Sequence, residues 1–542
     1  MEKTKRIYLV LLSVLSGLLL WLAWPPFKMS FIIFFAFVPI LYVQELIWKE
    51  KNRFGASILF YNTFIAFFIW NLLTTYWIYN ATFVGALMAI LINSLLMSFP
   101  FMLFHKLKGV SKSKTSILIL VIFWIAYEFL HLNWDLAWPW LTLGNVFAMH
   151  PAWVQWYEFT GVFGGSIWIW LVNLVLFSII KRSIESNKTA LASMRIFIRM
   201  GQLLAIILIP IVISFVIPKT EETKSDFNAV IVQPNIDPYH DKFKSGYFST
   251  QLDILLKLSE GEIDSNTRLL VWPETALSIP FDEKTLNYNA YISRIRTMLR
   301  KYPELKLLTG IDSYRFFEED EELTATARLY PFDSSYYDAY NAALMMDQTP
   351  AYKLYHKSRL VPGVEKMPYP KIFRFIEKLA VNLGGTSGSL GKQDEPSVFK
   401  INENITAAPI ICYESIFGDY VGRFIQKGAN LIVIMTNDGW WGNTSGHEQH
   451  YLYARLRAIE HRKSIVRSAN TGISCYINSQ GEVIQKTEWW QEDVIKENLT
   501  IDKKITFYAR MGDYLGRIAA FISVVLILII ISRSFTKKGE LN

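Results

Sequence analysis

The chain has 542 residues, 52% of them apolar and 19% charged, against about 45–50% and about 25% in ordinary soluble chains. That balance excludes a disordered or purely soluble protein and points to a membrane protein with room for several domains. The formal charge is +8, yet residues 219–532 hold 36 basic and 39 acidic groups, a net of −3. The basic excess therefore flanks the apolar segments, and a nucleic-acid role lacks its electrostatic footprint.

In chain order, apolar runs long enough to cross about 30 Å of hydrocarbon are predicted near residues 8–24, 30–48, 56–79, 82–104, 115–130, 152–180, 196–217 and 514–532. The first follows Lys3, Lys5 and Arg6 but runs into Trp24-Pro25-Pro26 without a small-residue cleavage pattern, so it is read as a retained helix. Lysine and arginine cluster before the first run and after the second, fourth, sixth and eighth, while the opposite short loops hold only Lys28. By the positive-inside rule this predicts eight helices with both termini cytoplasmic and the long segment after the seventh outside the cytoplasm. The expected organisation is helices one to seven over 1–218, an exported domain over 219–507, and helix eight with a cytoplasmic tail over 508–542.

Trp134, Trp138 and Trp140 lie beside Asp135 in the loop after the fifth run and are expected at headgroup level as an aromatic belt, with a lipid-guiding surface next to an active site as the alternative. Glu45 and Glu128 fall near span ends, where snorkelling or pairing within the bundle would satisfy them.

From 219 the pattern changes. Residues 229–233, 268–272, 305–310, 407–413, 431–437, 464–468 and 473–477 read as buried strands, and 247–259, 285–301, 370–381 and 447–462 as helices. This alternation argues for a layered α/β domain, with the Gly-rich stretch 383–391 as a loop.

Three patterns in this region each put a reactive group after an apolar strand, where α/β sheets present their chemistry. V-W-P-E-T-A (271–276) offers Glu274, Y-H-K-S-R-L-V-P (355–362) offers Lys357, and I-I-C-Y-E-S (410–415) offers Cys412. A thiol is a strong nucleophile only as thiolate, so a carboxylate base and a fixed cation are the partners it needs.

In this order Glu274, Lys357 and Cys412 resemble the Glu-Lys-Cys triad of the nitrilase superfamily. With eight helices around it, the whole chain resembles the apolipoprotein N-acyltransferase family. V-Q-P-N-I (232–236), T-N-D-G-W-W-G (436–442), R-L-R-A-I-E (455–460), R-S-A-N-T-G-I-S (467–474) and T-F-Y-A-R-M-G-D (506–513) extend the match over nearly all of the α/β region. The resemblance implies a multi-span helical membrane domain carrying a nitrilase-like α-β-β-α sandwich in a bacterial cytoplasmic membrane. Glu274 would be the general base, Lys357 the cation and Cys412 the nucleophile. It implies a phospholipid acyl donor, diacylglyceryl-modified apolipoproteins as acceptors, contact with membrane lipids, and no cofactor or metal.

Glu365 matches a second functional glutamate, in a loop that usually reads V-P-F-G-E-Y-V-P and here reads V-P-G-V-E-K-M-P (361–368). A Lys-Trp pair usual after the first strand is here Lys242-Phe243, so an aromatic gate would rest on Phe243. The Tyr413 backbone amide is expected to help bind an oxyanion, Glu414 to brace Lys357, and Trp440 and Trp441 to serve as core, lid or lipid contact. Cys475 reads as a packed strand residue. H-E-Q-H (447–450) is one residue short of the H-E-x-x-H zinc spacing. Two other readings stay open at this level: a membrane-tethered nitrilase-like amidase acting on a small amide, and a lipid-binding or transport protein with an inactive enzyme domain.

Overall fold

The computed structural model describes residues 2–51, 54–108, 117–185, 190–218, 223–369 and 389–539. The chain folds as two compact units. One comprises Met1–Tyr76, Ala86–Pro218 and Asp513–Asn542, the other Trp77–Gly85 and Lys219–Gly512.

The first unit is helical. Among the described residues, seven helices are long and apolar enough to cross a membrane: Thr4–Ala23, Ser30–Lys49, Ala56–Thr75, Phe83–Lys108, Val162–Ile184, Ile196–Val216 and Tyr514–Ser532. The eighth expected span is the shorter apolar helix Leu118–Leu132. The second span is interrupted at Phe37. Backbone groups freed inside an apolar layer need partners, and the Asn173 side chain supplies them, accepting from Phe37 N at 3.0 Å and donating to Ile33 O at 2.8 Å. Around this break Phe37, Trp124 and Trp170 pack ring against ring.

Two expectations are corrected here. The span expected over 152–180 starts only at Val162, because Pro139 and Pro151 open 3₁₀ turns and Gly161, at φ 58°, breaks the chain before the helix. Trp140 does not sit in a belt. It is 1% exposed and stacks on Trp138 at 5.3 Å, because the loop folds back into the unit. Glu45 and Glu128 do pair within the bundle. Glu45 meets Lys108 at 2.8 Å and Lys181 at 2.6 Å, and Glu128 accepts from Trp124 Nε1 and Leu143 N, each at 2.9 Å.

The second unit is a sandwich of two sheets. Its strands are β1 (Thr223–Gln233), β2 (Thr267–Val271), β3 (Leu277–Asp282), β4 (Lys306–Phe316), β5 (Arg328–Leu329), β6 (Tyr336–Met346), β7 (Tyr352–His356), β8 (Phe399–Lys400), β9 (Thr406–Ile411), β10 (Leu431–Thr436), β11 (Ile465–Ala469), β12 (Cys475–Ile477), β13 (Val483–Lys486) and β14 (Asp493–Ile501). One sheet runs β14-β1-β2-β4-β6-β5, with β3 beside β4 and β7 beside β6; the other runs β13-β12-β11-β10-β9-β8. Strands β1, β2 and β4 are mutually parallel, as are β9, β10 and β11.

The sheets face each other, and hydrogen bonds cross the gap. Tyr476 donates to Ala229 O at 2.7 Å, Ser468 to Val232 O at 3.0 Å, and Ser474 N to Gln233 Oε1 at 3.1 Å. Helices Phe248–Glu262 and Ala290–Leu299 cover the first sheet, burying Leu252, Leu255, Ile292 and Ile295 against Val230, Leu270 and Leu307. Gly418–Gln426 and Ser445–His461 belong to the second layer pair. The result is the four-layer α-β-β-α architecture.

The expected strands are all present, with one shift: β9 ends at Ile411, and Cys412 opens a 3₁₀ turn to Ile416. The helix expected over 285–301 is a 3₁₀ segment, Glu283–Tyr288, followed by Ala290–Leu299, because Asn289 caps the second piece through Tyr291 N and Ile292 N. Strands β3, β5, β6, β7, β8, β13 and β14 and the helices Gly418–Gln426 and Phe507–Met511 are additional to the expected elements. The helix expected over 370–381 and most of the 383–391 loop lie outside the described residues.

Candidate active site

Glu274, Lys357 and Cys412 each follow the end of a strand, β2, β7 and β9 respectively. Glu274 reaches its place through a tight approach of two backbones. A Cβ on Gly310, in β4, would lie 2.6 Å from Glu274 Cα, so only glycine lets β4 pass behind the glutamate.

Lys357 is 1% exposed, and its Nζ bridges two carboxylates, Glu274 Oε1 at 3.1 Å and Glu365 Oε1 at 2.8 Å. Asn341, from the middle of β6, completes the square by donating to Glu274 Oε1 at 2.8 Å and Glu365 Oε1 at 2.9 Å. The altered loop still delivers Glu365. Gly363 takes φ 79°, and Val361 N donates to Glu365 Oε2 at 2.8 Å.

The electrostatics follow from burial and pairing. Burial works against the Lys357 charge, but Glu274 and Glu365 hold its pKa well above the ordinary lysine value. Burial likewise opposes the Glu274 carboxylate, and Lys357, Asn341 and Lys242 outweigh it, leaving Glu274 below its usual range. The Cys412 thiol is pushed well up by burial and by Glu274, against the opposing pull of Lys357. At rest the site therefore holds an ionised carboxylate, an ammonium and a neutral thiol.

Cys412 itself sits at φ 47°, a left-handed conformation that costs a non-glycine residue about 1–3 kcal/mol. Its surroundings hold it there. Ser415 Oγ donates to the Cys412 carbonyl at 2.8 Å, and Glu414, fully buried, ties the elbow to the Lys357 turn. Glu414 accepts from Ile411 N at 2.9 Å, Ser358 N at 2.7 Å, Arg359 N at 3.2 Å and Tyr355 Oη at 2.7 Å. The bracing of Lys357 thus runs through the backbone that follows it. The Tyr413 ring is buried against Phe417 at 5.1 Å.

Trp440 stacks on Phe243 at 6.2 Å and meets Tyr239 edge-on at 5.4 Å. Trp441 packs on Trp77 at 4.8 Å and accepts from Asn80 Nδ2 through its carbonyl at 2.6 Å.

Several residues here escaped the sequence reading. Lys242, named only as the neighbour of a gate, is buried and donates to Glu274 O at 3.0 Å. Burial lowers its pKa to about 8 against the pull of Glu274 and Asp312, and burial raises Asp312 to about 7. Asn341 carried one faint signal, a lone amide inside the apolar run of β6. Asp438, His450 and Arg467 form a buried network beside Cys412, and no spacing rule links them.

Cys412, Asp438 and His450 bring a thiol, a carboxylate and an imidazole within 4.8 Å of one another, a donor set with the chemistry to hold a metal ion. The carboxylate is already engaged, by Thr436 Oγ1 at 2.7 Å and His450 Nδ1 at 2.8 Å on one oxygen and Arg467 at 2.5 Å on the other. The guanidinium occupies the cation's role. His447 faces Trp489 instead, at 3.8 Å, so the two histidines of H-E-Q-H do not converge.

Comparison with known proteins identifies the family of the chain. Residues 16–175 match the family model described as apolipoprotein N-acyltransferase N-terminal domain, and residues 229–504 match carbon-nitrogen hydrolase. The apolipoprotein N-acyltransferase of Chlorobaculum tepidum is 30% identical over 532 residues, covering 96% of this chain and 96% of that protein. That of Geobacter metallireducens is 29% identical, covering 93% and 91%. Among solved structures, Saccharomyces cerevisiae Nit3, a member of branch 10 of the nitrilase superfamily, aligns with a TM-score of 0.36 at 15% identity, over 52% of this chain and 92% of that one. With two family models side by side and a relative matched from end to end, the chain belongs to the apolipoprotein N-acyltransferase family.

Proposed function

We propose that this enzyme N-acylates the N-terminal diacylglyceryl-cysteine of apolipoproteins, taking the acyl chain from a phospholipid through a thioester on Cys412. The observation that carries this reading is the buried Lys357 bridging Glu274 at 3.1 Å and Glu365 at 2.8 Å, in a site whose cysteine is held at φ 47° directly after β9.

Proton transfer from Cys412 to Glu274 is disfavoured at rest, because the thiol is pushed up and the carboxylate held down. Transfer becomes favourable only as the sulfur bonds to a carbonyl carbon, which spends the thiolate as it forms. The free thiol is thereby protected from oxidation until a substrate is in place. In the first half-reaction Glu274 takes the S–H proton and sulfur adds to the ester carbonyl. Lys357 and the Tyr413 N–H stabilise the oxyanion, donors of a kind worth about 2.7–4 kcal/mol each. Collapse breaks the ester C–O bond, and Glu274 returns the proton to the departing lysophospholipid. In the second half-reaction the α-amine of the lipoprotein adds to the thioester, Glu274 accepts an amine proton, and collapse releases amide and a cysteine thiol.

Trp440 and Trp441, backed by Phe243 and Trp77, form the apolar surface suited to an acyl chain. The charge pattern of the loops supports a location in the bacterial cytoplasmic membrane with the α/β unit on its outer face.

Incubating the purified enzyme with phospholipid and a diacylated lipopeptide tests the chemistry. Mass spectrometry should show a lipopeptide heavier by one acyl chain together with lysophospholipid, and Cys412→Ala should yield neither. Release of free fatty acid alone would mark a hydrolase instead. For the side of the membrane, Tyr288→Cys, at an exposed position, in a Cys412→Ala background should react with an impermeant maleimide on intact spheroplasts. Lys106→Cys should react only after permeabilisation, and the reverse pattern would overturn the orientation.

A further inference from the structure

Behind the nucleophile lies a buried hydrogen-bond relay that the chemistry above does not use. His450 is 1% exposed, on the helix Ser445–His461. Its Nδ1 faces Asp438 Oδ1 at 2.8 Å, and its Nε2 lies 3.0 Å from Ser415 Oγ and 3.3 Å from the Cys412 carbonyl oxygen. Asp438 is anchored in turn by Thr436 and Arg467. Burial opposes the Asp438 charge, but Arg467 and His450 keep it ionised, so its carboxylate accepts from Nδ1 and fixes the plane of the ring.

We propose that His450, carrying a proton on each ring nitrogen so that Nδ1 donates to Asp438 and Nε2 to the Cys412 carbonyl oxygen, and Ser415 are positioning residues that hold the Cys412–Tyr413 peptide plane, and so aim the Tyr413 N–H at the carbonyl oxygen of the substrate. The inference rests on the oxyanion reading of the site given above. A trans peptide is planar, with its C=O and N–H pointing in opposite directions. Two groups gripping the Cys412 oxygen from behind therefore set the direction in which the Tyr413 hydrogen leaves in front. The grip matters here because Cys412 at φ 47° is in a region from which the backbone would relax if released. Asp438 and Arg467 act one step further back, by orienting the imidazole.

Two reactions of the same sulfur separate this role from others. Acylation passes through an oxyanion, whereas alkylation by iodoacetamide displaces iodide and forms none. With full-length enzyme in detergent, single-turnover acylation of Cys412 is followed by intact mass, using phospholipid in one arm and a short-chain p-nitrophenyl ester in the other. His450→Ala is expected to slow acylation about 10²-fold in both arms, the size of losing one oxyanion donor, while alkylation stays within about threefold of wild type. Ser415→Ala should show the same selectivity with a smaller loss. His450→Gln, whose amide reaches the position of Nε2, should recover at least tenfold over His450→Ala.

Equal losses of acylation and alkylation in His450→Ala, or a shifted pH profile of alkylation, would overturn the proposal by placing His450 on the thiol itself or in general structure. Unchanged acylation would overturn it as well. If His450→Ala does not fold, Ser415→Ala carries the test, because it leaves the Asp438–Arg467 pair intact. Acylation of a Cys412→Ala control, or failure of the phospholipid arm alone in wild type, would instead count against the reading of the reaction.

Discussion

Replacing Lys357 by methionine removes one ammonium and strands two carboxylates. Lys357 Nζ lies 3.1 Å from Glu274 and 2.8 Å from Glu365, and all three side chains are largely buried. Removing one partner of a buried pair costs about 3–5 kcal/mol. The lower end applies here, since Asn341 still donates to both carboxylates and Lys242 stays close to Glu274. For a unit of roughly 300 residues about 3 kcal/mol corresponds to about 5 °C in Tm. Glu274 would relieve the strain by taking up a proton, which removes the base. Adding Glu365→Gln to Lys357→Met deletes one of the stranded charges, so the double variant should regain about half of the lost Tm while remaining unable to acylate Cys412. Scanning fluorimetry in detergent reads the first quantity and intact mass after phospholipid the second. A Lys357→Met enzyme that melts with wild type, or a double variant that melts below the single, would refute this account of the site.

Acid should destabilise the α/β unit well above the range where carboxylates titrate. Burial pushes His461 down to about 3 and His447 to about 4, so below pH 6.5 the unfolded chain binds protons that the folded one refuses. The stability present above pH 6.5 is lost as pH falls toward these values, by about 1.4 kcal/mol per pH unit for each group. Melting curves from pH 7.5 to 5 should show it, and His461→Gln should flatten the slope. Gly310→Ala, whose methyl would meet Glu274 Cα at 2.6 Å, should displace the base and lower kcat at least tenfold, with a stability loss of about 1–3 kcal/mol typical of overpacking; a variant with wild-type kcat would free Glu274 from this constraint. Trp440→Ala should raise KM for phospholipid several-fold while leaving acylation by a short p-nitrophenyl ester unchanged. An equal effect on both donors would remove Trp440 from the acyl-chain surface.

Local patterns in the chain carry a large part of this architecture. Continuous apolar runs announce spans, because each must satisfy its own backbone in hydrocarbon. Short β-branched runs such as Leu431–Thr436 announce buried parallel strands, and a reactive residue directly after such a run, as Cys412 follows Ile410-Ile411, falls at a sheet edge whichever way the sheet is assembled. Even the displaced glycine of the Glu365 loop left the glutamate in reach, since Gly363 takes the positive φ that the turn needs.

How these pieces are held depends on contacts between residues far apart in the chain. Asn341 and Glu274 are 67 positions apart, and Asn80 and Trp441 are 361 apart; no periodicity encodes such pairs. The break at Phe37 is stable because Asn173 reaches its backbone from another helix, and Trp140 is core because its loop folds inward. The same holds behind the nucleophile. Asp438, His450 and Arg467 come from three separate elements, and each reads in isolation as an ordinary polar residue. They become a device for orienting one peptide plane only when burial removes water as their alternative partner and leaves each polar atom to find another.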